Sequence, residues 1–368
     1  MNNTLRLLYI PNEADEGDQV GPRAAFAGML ADGTLGGYRA FSLLVEARQT
    51  TPAAALGRLL EISGEFNPDA VFWQHVSSFP LEARTIDQLR HIASRPMLIY
   101  HEGDVYGTLR KRPTAAMSIL AARSDIVFVV GLGANANLFR KMGAGKVIYA
   151  PHSADEVRFG KPWDPFEPNR SGVVMIANRI QSRVRWFSIP GALEREQLAV
   201  ELYRRLGRHF SVYGRGWDKF PFGRGYLPYR EQESVLRQHL LSAAWNHFDR
   251  ESFYFSDRLP ITLLAGVAHA TNHQPGYELI FKNGEQLAYF HTVNEAVDVI
   301  DWMLCQPRSH LVEMGLAGER LARRRFTTDI VYRNVVETIR SELVRRNQQT
   351  DHQPATVAVE MPSSVGIP

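Results

Sequence analysis

Apolar residues fall along this chain in short blocks, each followed by a longer stretch in which they recur every three or four positions. Short blocks suit buried strands and the longer recurrence suits helices packed on one side, so the alternation predicts parallel strands joined by crossover helices. In the first half, strands are expected at 5–10, 38–45, 70–74, 97–101, 126–130 and 146–150. Helices are expected over 21–30, 52–66, 81–94 and 134–142. Pro22 stands in the first turn of its helix, where a missing N–H costs nothing.

The segment 159–170 interleaves Pro162, Pro165 and Pro168 with Trp163 and Phe166, and reads as an interdomain linker. A second unit of the same kind follows. Its strands are expected at 173–177, 210–213, 243–248, 267–271 and 287–290, and its helices at 193–206, 231–241, 259–265 and 293–304, the last opened by Thr292. A helical region over 311–344 breaks near Phe326-Thr327-Thr328, where a threonine can cap a new helix. The fold class is therefore α/β, two domains facing each other. The expected division is 1–165, 166–325, a C-terminal helix at 326–346 and a disordered tail at 347–368.

Composition narrows the function. A chain of 368 residues suits two domains of roughly 150 residues each. A net charge of +3 without a basic motif argues against a dedicated nucleic-acid protein. The single cysteine, Cys305, excludes an internal disulfide and a cysteine-rich zinc site, and points to a reducing compartment. Its neighbours Trp302, Met303 and Leu304 predict a buried helix position. No apolar run is long enough to span a bilayer and no leader pattern precedes the first strand, so a cytoplasmic location is expected.

Several chemistries lack their motif. There is no phosphate-binding Gly-Lys-Ser/Thr loop, no nucleophile elbow and no His-Glu-x-x-His helix. Gly131-Leu-Gly133 follows a strand but lacks a third glycine, and reads as a tight turn. What remains is a set of polar clusters at strand ends, where open α/β sheets collect their ligands. In the first unit these are Gln19 and Gly21 beside Asp18, His75 after Gln74, and the group His101, Glu102, Gly103 and Asp104. Such a group can orient a hydroxyl, accept its proton or grip a sugar; as a structural feature it would be a solvated loop with a capping Asp. His152 either lines the cleft or is a satisfied structural histidine.

In the second unit the clusters are Asn178-Arg179, the turn Tyr213-Gly214-Arg215-Gly216-Trp217, and Ser256-Asp257-Arg258 at the start of a helix closed by Gly266. Arg179, Arg215 and Arg258 converge if their strands are parallel neighbours, and convergent arginines suit a diphosphate. The loop Pro275-Gly276-Tyr277-Glu278 follows the next strand. Arg323-Arg324-Arg325 and Arg345-Arg346 read as solvated helix faces, with room for a peripheral membrane contact.

These elements, in this order, resemble the donor domain of GT-B glycosyltransferases, in particular the group typified by the CgeB spore-maturation proteins and the glycosyl transferases of group 1. The resemblance spans about 172–343 and is carried by Asn178-Arg179, the Arg195-Glu196 helix, the Tyr213–Trp217 turn and Ser256-x-Arg258 before Gly266. Pro275-Gly276, Gly284-Glu285 with Tyr289, Glu295-Ala296 before Pro307, and Phe326-Thr327 before Arg333 continue it. It implies a GT-B fold, two Rossmann-like domains facing across a cleft, with C-terminal helices crossing back to the first domain. It also implies transfer of a sugar from a nucleoside diphosphate sugar to a hydroxyl of a glycan, lipid-linked or small-molecule acceptor.

Asn178, Arg179, Gly214, Arg215, Trp217, Ser256, Asp257, Pro275, Gly276, Tyr277 and Glu278 would bind the donor, with Gln19, Gly21 and His75 on the acceptor side. Arg258, Glu102, Asp104 and His101 would serve catalysis, with no cofactor and no obligatory metal; relatives mostly retain anomeric configuration. No Asp-x-Asp metal motif is present. One position departs: where related enzymes carry a ribose-holding Glu, five residues before the Gly, this chain has Ile261. A non-catalytic binding or scaffold protein on the same fold is the alternative.

Overall fold

The computed structural model describes residues 4–76, 79–180 and 188–351. The first domain holds β1 (Leu5–Ile10), α1 (Val20–Ala31), β2 (Leu35–Ala40), α2 (Leu43–Gln49), α3 (Pro52–Phe66), β3 (Ala70–Gln74) and α4 (Ala83–Arg90). It continues through β4 (Met97–Glu102), α5 (Ala115–Arg123), β5 (Ile126–Val129), α6 (Ala134–Lys141) and β6 (Val147–Tyr149). Its six strands are parallel, in the order β2-β1-β3-β4-β5-β6. Side chains alternate between the two faces, as a strand repeat of two requires. Leu8, Val71, Leu98 and Val127 pack under α3 and α5, whereas Leu7, Tyr9, Phe72 and Phe128 pack under α1.

The second domain holds β7 (Val173–Ile176), α7 (Ala192–Leu206), β8 (Phe210–Tyr213), α8 (Gln232–Arg237), β9 (Leu241–Ala244), α9 (Arg258–Leu264) and β10 (Ala268–Asn272). Then come β11 (Ala288–Phe290), α10 (Val293–Cys305), α11 (Arg308–Arg325) and α12 (Thr328–Asp351). Its five strands are also parallel, in the order β11-β10-β9-β7-β8. The 159–170 segment docks on this domain through Trp163, whose ring meets the guanidinium groups of Arg170 and Arg237, each 4.8 Å away.

Helix α12 returns to the first domain. Tyr332, Val335 and Ile339 complete the core beside α1, with the Tyr332 ring 5.2 Å from Phe26 and 5.9 Å from Phe72. Where the chain crosses, Ala154 N–H donates to Phe326 O at 2.9 Å and Thr328 N–H donates to Ala154 O at 3.0 Å. A second tie is electrostatic: both carboxylate oxygens of Glu251 accept from Asn135 N at 3.2 Å, at the start of α6. Burial raises the Glu251 pKa against the hydrogen bonds that lower it. These contacts set the carboxyl ends of the two sheets opposite one another.

Most expected elements are present, and the differences have local causes. The strand expected at 38–45 lies earlier, at Leu35–Ala40, and 43–49 coil into α2. Glycine disfavours strands, but a Cβ at Gly36 would lie 2.2 Å from Thr4 Oγ1, so only glycine fits the edge. The helix expected at 231–241 ends at Arg237, and the strand expected at 243–248 is Leu241–Ala244. Beyond it Asn246 N–H donates to Asn272 Oδ1 at 2.6 Å, and Phe248 has φ +58°, which no strand accommodates.

Helix α5 was not expected; it is opened by Thr114, whose Oγ1 accepts from Met117 N at 3.2 Å. Cys305 is exposed rather than buried, because Val293, Ala296, Ile300 and Met303 form the covered stripe of α10 and Cys305 lies off it. Helix α12 runs past 346 to Asp351, and the rest of the expected tail, 352–368, lies outside the described residues. Among the described residues no helix is long and apolar enough to cross a membrane.

Helix α11 passes the turn after α9 backbone to backbone: a Cβ at Gly315 would lie 2.2 Å from Gly266 O. An exposed helical Gly→Ala gains about 0.5–1 kcal/mol. Here Gly315→Ala should instead cost about 1–3 kcal/mol through overpacking, read as a lower urea midpoint of unfolding.

Candidate functional site

Between the two sheets lies a cleft of about 470 Å³. Gln19 and Gly21 at the start of α1, His75 after β3, and His101 and Asp104 around the end of β4 line its first-domain side. His152, Asp155, Asp257 and Tyr332 close it. Glycine at 21 is required, since a Cβ there would lie 2.4 Å from Asp155 Cβ. Gln19 is oriented by its Nε2 donating to Asn12 O at 2.6 Å.

Glu102 lies just behind this wall and is fully buried. Its Oε1 meets His75 Nδ1 at 2.5 Å and accepts from Asp104 N at 2.9 Å, while Oε2 accepts from Tyr100 OH at 2.5 Å. Burial alone would lower the His75 pKa, but the hydrogen bond and charge of Glu102 outweigh it and hold the imidazole above its ordinary value of 6.5. His75 has φ +35°, an uncommon backbone state held by His75 N donating to His101 O at 2.8 Å. Glu102 thus acts through His75.

His101 is the opposite case. Burial, then the nearby His152 and His75, push its pKa down to about 3, and neither ring nitrogen has a partner. A neutral, unpartnered imidazole at a cleft wall can donate from one nitrogen and accept at the other. Asp104 is held by Lys111 Nζ at 2.9 Å. His75, Glu102 and Asp104 offer ligand atoms within 4.8 Å of one another. A cation there would compete with the His75–Glu102 bond and with Lys111. His152 pairs with the Gly103 main chain and is kept below its ordinary pKa by burial, so it both lines the cleft and is satisfied.

In the second domain the three predicted arginines divide. Asn178 Oδ1 accepts from Arg215 N at 2.9 Å, and Arg179 N donates to Arg215 O at 2.9 Å, so the ends of β7 and β8 are stitched together. Gly214, at φ +142°, permits this because a Cβ would lie 2.2 Å from Ala177 O. The Arg179 side chain binds Glu196 and lies over Phe220 at 5.4 Å; Arg215 lies over Tyr226 at 5.0 Å.

Arg258 instead faces Arg195 of α7 across a small cavity that also meets Ser256, Asn246 and His269. Arg195 is buried, and its pKa is lowered to about 9 by that burial and then by the Arg258 charge. Arg195 Nε donates to Trp245 O at 2.8 Å and NH1 to Asn178 O at 3.1 Å, whereas Arg258 Nε is buried without a partner. Asp257 Oδ1, 3.9 Å from Arg258 NH1, is the nearest carboxylate. Arg195 entered the sequence reading only as part of the resemblance; lying in the first turn of α7 rather than in a loop, it offered no strand-end signal.

Of the other predicted donor residues, Ser256 lines the Arg258 cavity, whereas Trp217, Tyr277, Pro275, Gly276 and Glu278 do not. Trp217 is fully buried and donates from Nε1 to Ala177 O at 2.7 Å. Tyr277 is fully buried, its hydroxyl donating to Tyr254 O at 3.2 Å. Pro275 is exposed and accepts at its carbonyl from Phe253 N at 2.7 Å; Gly276 has φ +92° beside the Phe253 ring; Glu278 is exposed and meets His273 Nε2 at 3.1 Å. Ser256 Oγ donates to Asn246 Oδ1 at 3.3 Å. Ile261 is fully buried among Leu263, Val267 and Phe281, so no carboxylate stands at that position.

Residues 195–341 match the family model described as glycosyl transferase-like. No curated protein matches the chain in sequence. Among solved structures, the sucrose-phosphate synthase of Thermosynechococcus elongatus superposes with a TM-score of 0.61, over 94% of this chain and 100% of its own, at 10% identity. HepE of Anabaena, solved in complex with UDP and glucose, gives 0.58 over 92% of this chain and 100% of its own, at 11% identity. A trehalose-6-phosphate structure from E. coli, bound with UDP-2-fluoro glucose, gives 0.56 over 92% and 98%, at 9% identity. At such identities the likeness is one of fold. The chain has the GT-B fold, and its segment 195–341 is similar to the glycosyl transferase-like family.

The His75–Glu102 bond has a measurable consequence. A raised histidine pKa stabilises the folded state below about 6.5, and that contribution is lost as pH rises through the folded value. In Glu102→Gln the His75 pKa, followed by NMR, should fall below that of the wild type, and this part of the pH dependence of unfolding should vanish.

Proposed function

We propose that the chain transfers a glycosyl group from a nucleoside diphosphate sugar to an acceptor hydroxyl, without a metal and with retention of anomeric configuration. The observation that carries this reading is the Arg195–Arg258 pair, a buried and a partly exposed arginine that line one small cavity at the carboxyl end of the second sheet. Positive charge of this kind is matched by a diphosphate. In the step, the acceptor oxygen bonds to the anomeric carbon as the bond from that carbon to the diphosphate oxygen breaks, and the hydroxyl proton passes to the departing diphosphate. Asp104 and His101 face the acceptor and orient its hydroxyl, while Glu102 positions His75.

UDP-glucose is the first donor to assay, since HepE of Anabaena was solved with UDP and glucose. Proton NMR of the product reports the stereochemistry, and an inverted product would assign a base on the first-domain wall. A cytoplasmic site of action fits the lone exposed thiol. Ile261 favours a second reading, a nucleotide-sugar binding module. Binding of a nucleotide sugar without release of nucleoside diphosphate would support it.

Arg258→Ala tests the first reading. Removing one such donor costs about 10²–10³ in kcat, so turnover should drop by at least about a hundredfold while circular dichroism stays that of the wild type. A wild-type rate would contradict the role given to Arg258.

A further inference from the structure

We infer that the acceptor received in this cleft is an uncharged saccharide and that the cleft discriminates against phosphorylated acceptors; the inference rests on the glycosyltransferase reading above. The walls carry Asp18, Asp104, Asp155 and Asp257. Among the described residues lining the cleft, Arg158 has the one arginine or lysine side chain. Its guanidinium is already committed: NH1 lies 3.3 Å from Asp155 Oδ2, NH2 donates to Asp18 O at 2.7 Å, and the group stands 5.6 Å from the Tyr229 ring. Lys111 approaches Asp104 from outside the lining, over the Tyr106 ring.

An acceptor phosphate would therefore meet carboxylates of its own sign, while the two cationic groups of the lining are already engaged, Arg158 by Asp155 and Asp18 and the His75 imidazole by Glu102. Saccharide hydroxyls meet the complementary surface. Carboxylates accept from them, and Gln19 and Gln74 line the same wall as further partners. The second observation is His101, 8% exposed, which lines the cleft with both Nδ1 and Nε2 buried and unpartnered. A buried polar group without a partner is costly; one saccharide hydroxyl can accept from the protonated ring nitrogen or donate to the bare one, and a second hydroxyl is needed for the other. Burial, then the neighbouring His152 and His75, keep that imidazole neutral, so it offers no charge to a phosphate.

The test uses the full chain with UDP-glucose, or whichever nucleotide sugar it turns over. Acceptors are supplied as matched pairs: glucose with glucose 6-phosphate, and N-acetylglucosamine with its 6-phosphate. Nucleoside diphosphate release above the acceptor-free rate is measured, and products are identified by mass. The neutral member of a pair should show kcat/KM at least tenfold higher. Equal or better use of the phosphorylated member overturns the inference while leaving the transferase reading in place. Failure to release nucleoside diphosphate from any donor, with or without acceptor, overturns the transferase reading itself and the inference with it. His101→Phe should raise the KM for the neutral acceptor by a larger factor than it lowers kcat; an unchanged KM removes His101 from acceptor recognition.

Discussion

The packing of α12 against the first sheet is the contact on which the rest of this molecule depends. A helix that follows the second domain in sequence supplies Val331, Tyr332, Val335 and Ile339 to the core of the first, so the first domain's apolar core is not complete without it. Burial of such side chains is worth about 1.5–3 kcal/mol each. The same packing orders the cleft. Tyr332 lies between Phe26 and Phe72 of the core and meets the His101 ring edge-on at 6.1 Å. The residue that ties the two domains together thus also fixes a wall of the site.

Charge is divided across the cleft in a way that suits sugar transfer. Carboxylates and neutral imidazoles crowd the first-domain side, while Arg195 and Arg258 stand together on the second. Setting the partly exposed Arg258 beside the buried Arg195 opposes folding unless an anion compensates their charges. Main-chain carbonyls of Trp245 and Asn178 hold Arg195, and Arg258 is left with an unpartnered Nε. Glu102 works at one remove: its carboxylate is consumed by His75, Tyr100 and the Asp104 main chain, and what it delivers to the cleft is an oriented imidazole.

Much of the fold was legible because strand and helix periods differ and because caps are local. Helix 52–66 was readable from its proline start and Asn67, which adopts the left-handed state at its end. The strand at Leu35–Ala40 was not, since Gly36 and Gly37 answer to Thr4 and the neighbouring β1 rather than to strand propensity. At the site, polar residues at strand ends were visible as candidates, and His75, His101, Asp104 and Asp257 do line one cleft. Burial was not visible. Trp217 and Tyr277 look like binding aromatics in sequence yet are core residues, and Arg195 looks like a helix surface residue yet is enclosed. Which arginines meet depends on sheet order and loop path, which no local pattern encodes.

The most direct measurement is a crystal structure of the protein with a nucleoside diphosphate bound. The account predicts the diphosphate within hydrogen-bond distance of Arg258 and beside Arg195, at the carboxyl end of the second sheet, with the cleft toward His101 and Asp104 left open for the acceptor. A diphosphate seated on the first sheet, or away from both arginines, would contradict it.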